Sequence, residues 1–200
     1  MSSRSVPDGV SASSLAYFSS HPLATSTLSD GAFEIRAMSR EITHGGRGHT
    51  LMAGTFNSEA TIAHLLSFFR RSSTTSPTGD EQTRAEVRRF YAFGGGLNAH
   101  PDLLHGGVIA CILDSTMGNV IGFSMPITRR TSMFTVQLNV RFQKPVKTPG
   151  AVRTRAWIDR IEDGGRKVWV RGVVEGDGVT HARAEGMWLS VKAKGQDVKL

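Results

Sequence analysis

The chain is poor in cysteine: Cys111 stands alone among 200 residues, so no intrachain disulfide can staple the fold. Its place inside an apolar stretch reads as a small buried hydrophobe rather than a nucleophile. Long apolar runs are also missing. The longest cover about six residues, where a bilayer crossing needs roughly 20. A signal-peptide layout is absent: the N-terminus is Ser-rich, with one early arginine, acids at Asp8 and Asp30, and no apolar core segment. These gaps lead us to expect an intracellular, cytosolic protein with no membrane span. Net charge is +7, from 24 Lys+Arg against 17 Asp+Glu, but runs of basic residues are missing. The pairs Arg70-Arg71, Arg88-Arg89 and Arg129-Arg130 are scattered and lack interleaved aromatics, which argues against a nucleic-acid partner. A solvated basic surface, or recognition of an anionic small ligand such as a phosphorylated carrier, is expected instead. The histidines show no metal-ligand spacing with cysteine or acids, so neither a metal nor another cofactor is expected. There is no internal repeat.

What is present suits one domain with a sizeable core. Apolar residues make up 39% and charged residues 20% of the chain. Residues 1–50 read as a weakly ordered or peripheral segment, opening on Met1-Ser2-Ser3-Arg4-Ser5, with a short docking helix over Ser13 to Phe18. Residues 51–200 read as a single domain. Within it Thr50 to Phe56 suggests a short strand. Ser58 begins a helix whose apolar face is Ile62, Leu65, Leu66, Phe68 and Phe69. Residues 72–84 form an exposed connection, and Val87 to Phe93 is a strand ending at Gly94-Gly95-Gly96. His44-Gly45-Gly46 is a loop.

The centre of the chain is Leu104-His105-Gly106-Gly107-Val108-Ile109-Ala110-Cys111-Ile112-Leu113-Asp114. A glycine turn opens a helix that is apolar on every side, and such helices are normally buried all round. Asp114 breaks that pattern, since an unpaired carboxylate is costly to bury. Beyond the helix, Thr131 to Lys144 alternates at Phe134, Val136, Leu138, Val140 and Phe142. Val152 to Ile161, Lys167 to Glu175 and His181 to Val191 follow as strands joined by short hairpins at Gly164-Gly165 and Gly176-Asp177-Gly178. One apolar helix followed by four such strands favours an antiparallel sheet wrapped around it.

The segment Gly96-Leu97-Asn98-Ala99-His100-Pro101-Asp102-Leu103-Leu104-His105-Gly106-Gly107, with the helix to Asp114, resembles the hotdog-fold acyl-CoA thioesterases. Within them it is most similar to the mammalian THEM-type and fungal thioesterase-superfamily proteins. Thr135-Val136-Gln137-Leu138-Asn139-Val140 resembles their strand after the helix, and the likeness spans about residues 86–192. It implies an α+β hotdog fold: a curved antiparallel sheet wrapped around one long central helix, here with an extra N-terminal helical segment. It further implies a homodimer or dimer of dimers, acting on an acyl-CoA or acyl-carrier-protein substrate.

By that resemblance the catalytic candidates are Asp114, Gly106, Thr135, Asn98 and His105, and the substrate-binding candidates are Gly107, His100, Ser115, Arg141 and Lys144. Asp114 would activate water or attack the acyl carbon itself. Thr135 would orient the water, and Asn98, or His100 beside it, would hold the thioester oxygen. His105 would brace the turn. Helix-start N–H groups are unpaired and positively polarised, so Gly106 and Gly107 can hold a developing oxyanion, each donor being worth about 3–4 kcal/mol. Arg141, Lys144 and Lys147, with Arg129-Arg130 before the strand, would meet the carrier's phosphates. Trp157, Trp169 and Trp188 read as core or interface residues. Gly106 and Asp114 are eight residues apart, about 12 Å along a helix. One helix therefore cannot present both to one carbonyl, and the helix start of one subunit must face Asp114 of another. Two alternatives stand beside hydrolysis: a hotdog dehydratase or hydratase built on a histidine–acid pair, which His100-Pro101 superficially matches, and a non-catalytic acyl-CoA-binding module.

Overall fold

Helix α3 (Gly106–Ser124) fixes the architecture, because eight of its residues, among them Ile112, Leu113, Met117 and Ile121, are buried. By length and composition it is apolar enough to cross a membrane, and here that apolarity is directed at a sheet. The computed structural model describes residues 8–37, 40, 42–125 and 131–192, with backbone alone at Thr131 and Lys192. The Met1–Ser5 tract and Arg129-Arg130 lie outside the described residues.

Before α3 come helices α1 (Ala12–Ser20) and α2 (Pro22–Ser29), strands β1 (Glu34–Arg36), β2 (Ile62–Arg70) and β3 (Glu86–Phe93), and a small hairpin of β4 (Asn98–His100) and β5 (Leu103–Leu104). After it come β6 (Thr131–Phe142), β7 (Gly150–Glu162), β8 (Lys167–Gly176) and β9 (Val179–Lys192). Among the described residues the main sheet has seven strands in the order β1-β2-β3-β7-β8-β9-β6, all antiparallel.

Strand β7 shows how the sheet covers the helix. Val152, Thr154, Ala156 and Ile158 are buried and alternate with Arg153, Arg155 and Trp157, as a period of two requires. The apolar members join the core around α3. The helix packs against β3, β7, β8, β9 and β6, five adjacent strands spaced roughly 4.8 Å apart. Laid flat they would span about 19 Å, well beyond a helix diameter of about 10–12 Å, so the sheet must curl round it. Gly172 of β8 permits a close approach: a Cβ there would meet Met117 Sδ at 2.9 Å.

Four local readings are corrected. The segment from Ser58 to Phe69 is not a helix, and β2 occupies Ile62–Arg70. Leu65 and Phe69 face the α3 core while Leu66 and Phe68 face a second cluster under the N-terminal helices. A strand buried on both faces produces the same run of apolar residues as an amphipathic helix. Leu51–Thr55 is a π-helical turn rather than a strand; Asn57 Nδ2 closes it on the Ala53 carbonyl at 2.9 Å. Strand β6 does not form a hairpin with β7 but crosses to the far edge beside β9. Finally, α3 is not buried all round in the single chain. Gly107, Cys111, Asp114, Ser115, Gly118 and Gly122 leave an open stripe.

The N-terminal segment lies on the outer face of the sheet. Its α1 begins at an N-cap, Ser11, whose hydroxyl accepts from Ser14 N–H at 3.2 Å. Phe18 and Phe33 then pack with Phe68 and Phe90 in the second cluster, Phe18 at 0% exposure. Residues 12–36 thus form packed helices and an edge strand at the periphery of the sheet.

Candidate active site

The turn into α3 is anchored from both sides. Leu104 N–H donates to Val146 C=O at 3.0 Å and His105 N–H to Leu97 C=O at 2.9 Å. His105 is the N-cap, with extended backbone, and its Nδ1 accepts from Gly107 N–H at 2.8 Å. Accepting at Nδ1 places the proton of the neutral ring on Nε2. His105 therefore braces the turn, and it engages one of the two glycine donors. Gly107 N–H is taken; Gly106 N–H has no acceptor among the described residues, so the free donor at the positive end of the helix narrows to Gly106.

Asn98 pairs with Leu104 across the β4–β5 hairpin, beside this helix start. Its Oδ1 accepts from the Thr148 hydroxyl at 2.5 Å. That fixes the carboxamide with its NH2 group as the available donor. Phe142, at 54% exposure, covers the other side: its ring lies 3.5 Å from where a Cβ on Gly106 would sit. His100 is exposed in β4 and is drawn into neither this group nor the next.

Further along the helix, the Thr135 hydroxyl donates to Asp114 Oδ1 at 2.8 Å. A bulge in β6 makes the contact possible. Pairing with β9 runs Thr135↔Trp188 and then Gln137↔Met187, so Val136 is the extra residue and stands 45% exposed. The expected unbroken alternation from Phe134 to Phe142 is thereby corrected: the bulge resets the phase. Thr135 faces α3, and so do Leu138 and Val140, which pack on the core. One Asp114 oxygen is held and the other is left for a reactant. Cys111, one turn back, is half-buried; burial first, and the Asp114 carboxylate second, push its thiol up, which disfavours the thiolate a nucleophile needs.

Ser115 accepts at Oγ from Arg89 Nη1 at 2.9 Å. Arg89 was read as one of a scattered basic pair, yet it is fully buried. The signal was present: neighbours in a strand face opposite ways, so one of Arg88 and Arg89 had to point at α3. Arg88 points outward to Glu86, 2.7 Å away. Arg141 and Lys144 stand elsewhere. Arg141 projects to the outer face of the sheet, lining a groove of about 600 Å³ with Arg171, Arg183 and Trp157. Lys144 is exposed just past β6. Trp188 is core, while Trp157 and Trp169 lie under the guanidinium groups of Arg84 and Arg160, at 3.9 and 4.1 Å. Among the described residues no group of three or more His, Cys, Asp or Glu side chains could hold a metal.

The assembly is a hotdog domain: a sheet curled around one helix, with a free N–H donor at the helix start and an Asp–Thr pair two turns on. Residues 102–178 match the family model described as the thioesterase superfamily. Acyl-coenzyme A thioesterase THEM4 of Rattus norvegicus is 30% identical over 112 residues, covering 54% of this chain and 45% of that protein. Verlamelin biosynthesis protein B of a Lecanicillium species is 25% identical over 177 residues, covering 75% and 77%. Among solved structures, a protein of Bacillus halodurans with CoA is 27% identical, with a TM-score of 0.44 over 56% of this chain and 70% of that one. A phenylacetic acid degradation-related protein of Ralstonia eutropha JMP134 is 22% identical, with a TM-score of 0.47 over 52% and 75%. The chain spans less than half the length of the THEM4 relatives it matches.

Proposed function

We propose that this chain hydrolyses an acyl thioester, carried by coenzyme A or an acyl-carrier protein, to free acid and thiol. The observation that carries the reading is the 2.8 Å hydrogen bond from Thr135 to Asp114. It holds the carboxylate so that its second oxygen can take a proton from water. Water oxygen attacks the acyl carbon, the carbonyl oxygen gains negative charge, and the C–S bond then breaks, with the thiolate taking up the proton. The alternative use of Asp114 as nucleophile would pass through an acyl anhydride that water opens. Gly106 N–H and the Asn98 amide suit the oxyanion.

Gly106 and Asp114 share α3 at a separation of about 12 Å, so we assign them to two different sites in a homodimer. The apolar exposure of Val136 and Phe142 on the β6 edge and the open stripe of α3 support a second copy there. Likeness to verlamelin biosynthesis protein B supports a specialised version, release of a chain in secondary metabolism. A dehydratase would need a histidine paired with an acid, and His100 has no such partner among the described residues.

Asp114→Asn tests the mechanism. Thiol release from a panel of acyl-CoA substrates is expected to fall by about 10²–10⁴ in kcat with the fold retained. Unchanged turnover would remove Asp114 from the chemistry, and tight acyl-CoA binding without turnover by the unmodified protein would favour the binding module.

A further inference from the structure

Arg89 lies on the face that β3 turns to the helix, in line with Val87, Tyr91 and Phe93. Its side chain is fully buried. Nη1 donates to Ser115 Oγ at 2.9 Å, Nε to Ser67 Oγ at 3.4 Å, and the enclosed Nη2 has no partner. Among the described residues no carboxylate comes within ion-pairing distance of it, whereas Arg88 beside it has Glu86. An enclosed guanidinium without an anion is costly, and its field in so dry a place is weakly screened. That field is felt at Ser115, half-exposed on the open stripe and adjacent to Asp114.

Ser115 uses its oxygen to accept from Arg89, and its hydroxyl hydrogen has no acceptor among the described residues. The next residue behaves differently: Thr116 returns its hydroxyl to Ile112 C=O at 2.7 Å. We propose that Ser115, polarised by Arg89, selects the acyl group by donating a hydrogen bond to an oxygen substituent on the acyl chain. This rests on the thioesterase reading, with the acyl carbon at Asp114. Ser115 is one residue on, about 1.5 Å further along the axis and about 100° around it. An acyl chain leaving Asp114 along the open face passes it within its first few carbons. The favoured substrates are hydroxylated or carboxylated acyl thioesters, the carboxylate also supplying the anion that Arg89 lacks. Arg89 acts through Ser115 and is a positioning residue.

The test compares hexanoyl-CoA, 3-hydroxyhexanoyl-CoA and adipoyl-CoA by thiol release, with kcat and KM separated. Wild type is expected to prefer at least one oxygenated substrate over hexanoyl-CoA by about tenfold in kcat/KM, expressed mainly in KM. Ser115→Ala and Arg89→Met should bring that ratio close to unity, and Ser115→Thr, which keeps a hydroxyl, should retain it. If Arg89→Met does not fold, the Ser115 pair decides. A wild type that prefers hexanoyl-CoA, or a Ser115→Ala variant that keeps the wild-type ratio, overturns the inference while leaving hydrolysis standing. No thiol release from any of the three overturns the thioesterase reading and this inference with it.

Discussion

Each side chain at the helix start does one job, and His105 shows how narrow that job is. Its ring satisfies Gly107 N–H, an orphan donor of the first turn. Replacing His105 by alanine should lower unfolding free energy by about 1 kcal/mol, the usual cost of losing an N-cap, measurable in urea. It should also free Gly107 N–H, so hydrolysis is expected to persist at a reduced level; total loss would show that the ring takes part in the chemistry. His105, Gly106 and Asp114 stand out in the sequence because a glycine-rich helix start and a carboxylate in an apolar helix are visible without coordinates. Thr135 is named only through the family resemblance, and the structure brings its hydroxyl to Asp114. Arg89 could not be placed so easily, since a basic pair in a strand resembles solvated surface until the two faces are assigned.

Among the elements, β6 is the one whose internal register matters most. Val136 is the additional residue that allows Thr135 and Leu138 to share the inner face. Deleting Val136 would restore a plain alternation with Thr135 and Leu138 two residues apart, still on the same inner face. Such a protein should keep its far-ultraviolet circular dichroism and much of its thiol release, whereas Thr135→Val, which removes the hydroxyl that holds Asp114, should lower thiol release. Retained activity in Thr135→Val would show that the hydrogen bond to Asp114 is dispensable. No sequence pattern announces a bulge of this kind, because alternation on either side reads as continuous. Strand β2 was hidden for a different reason: burial on both faces removes the polar alternation that distinguishes a strand from a helix.

At the scale of the whole molecule, the sheet carries two cores back to back. The inner one surrounds α3 and the outer one seals the N-terminal helices onto β2 and β3. Phe18→Ala empties a fully buried ring position in the outer core and should cost about 3–5 kcal/mol. Because Phe18 lies on the face opposite Asp114, KM and kcat at temperatures well below the melting point should change little. A large stability loss would mark residues 12–36 as part of the folding unit, and none would make them an appendage. The curled antiparallel sheet itself was legible, since short turns after an apolar helix leave few other arrangements.

The spacing of Gly106 and Asp114 along α3 gives every proposed site two parents. A chain crippled at Asp114 still lends a sound helix start to its neighbour, and a chain crippled at the helix start still lends a sound acid. Mixing two individually dead proteins, Asp114→Asn and Gly106→Pro, and allowing subunits to exchange should therefore recover activity. Each hybrid dimer would hold one intact site and one doubly damaged site. Such rescue, read as thiol release that grows with exchange time, cannot occur if each chain works alone.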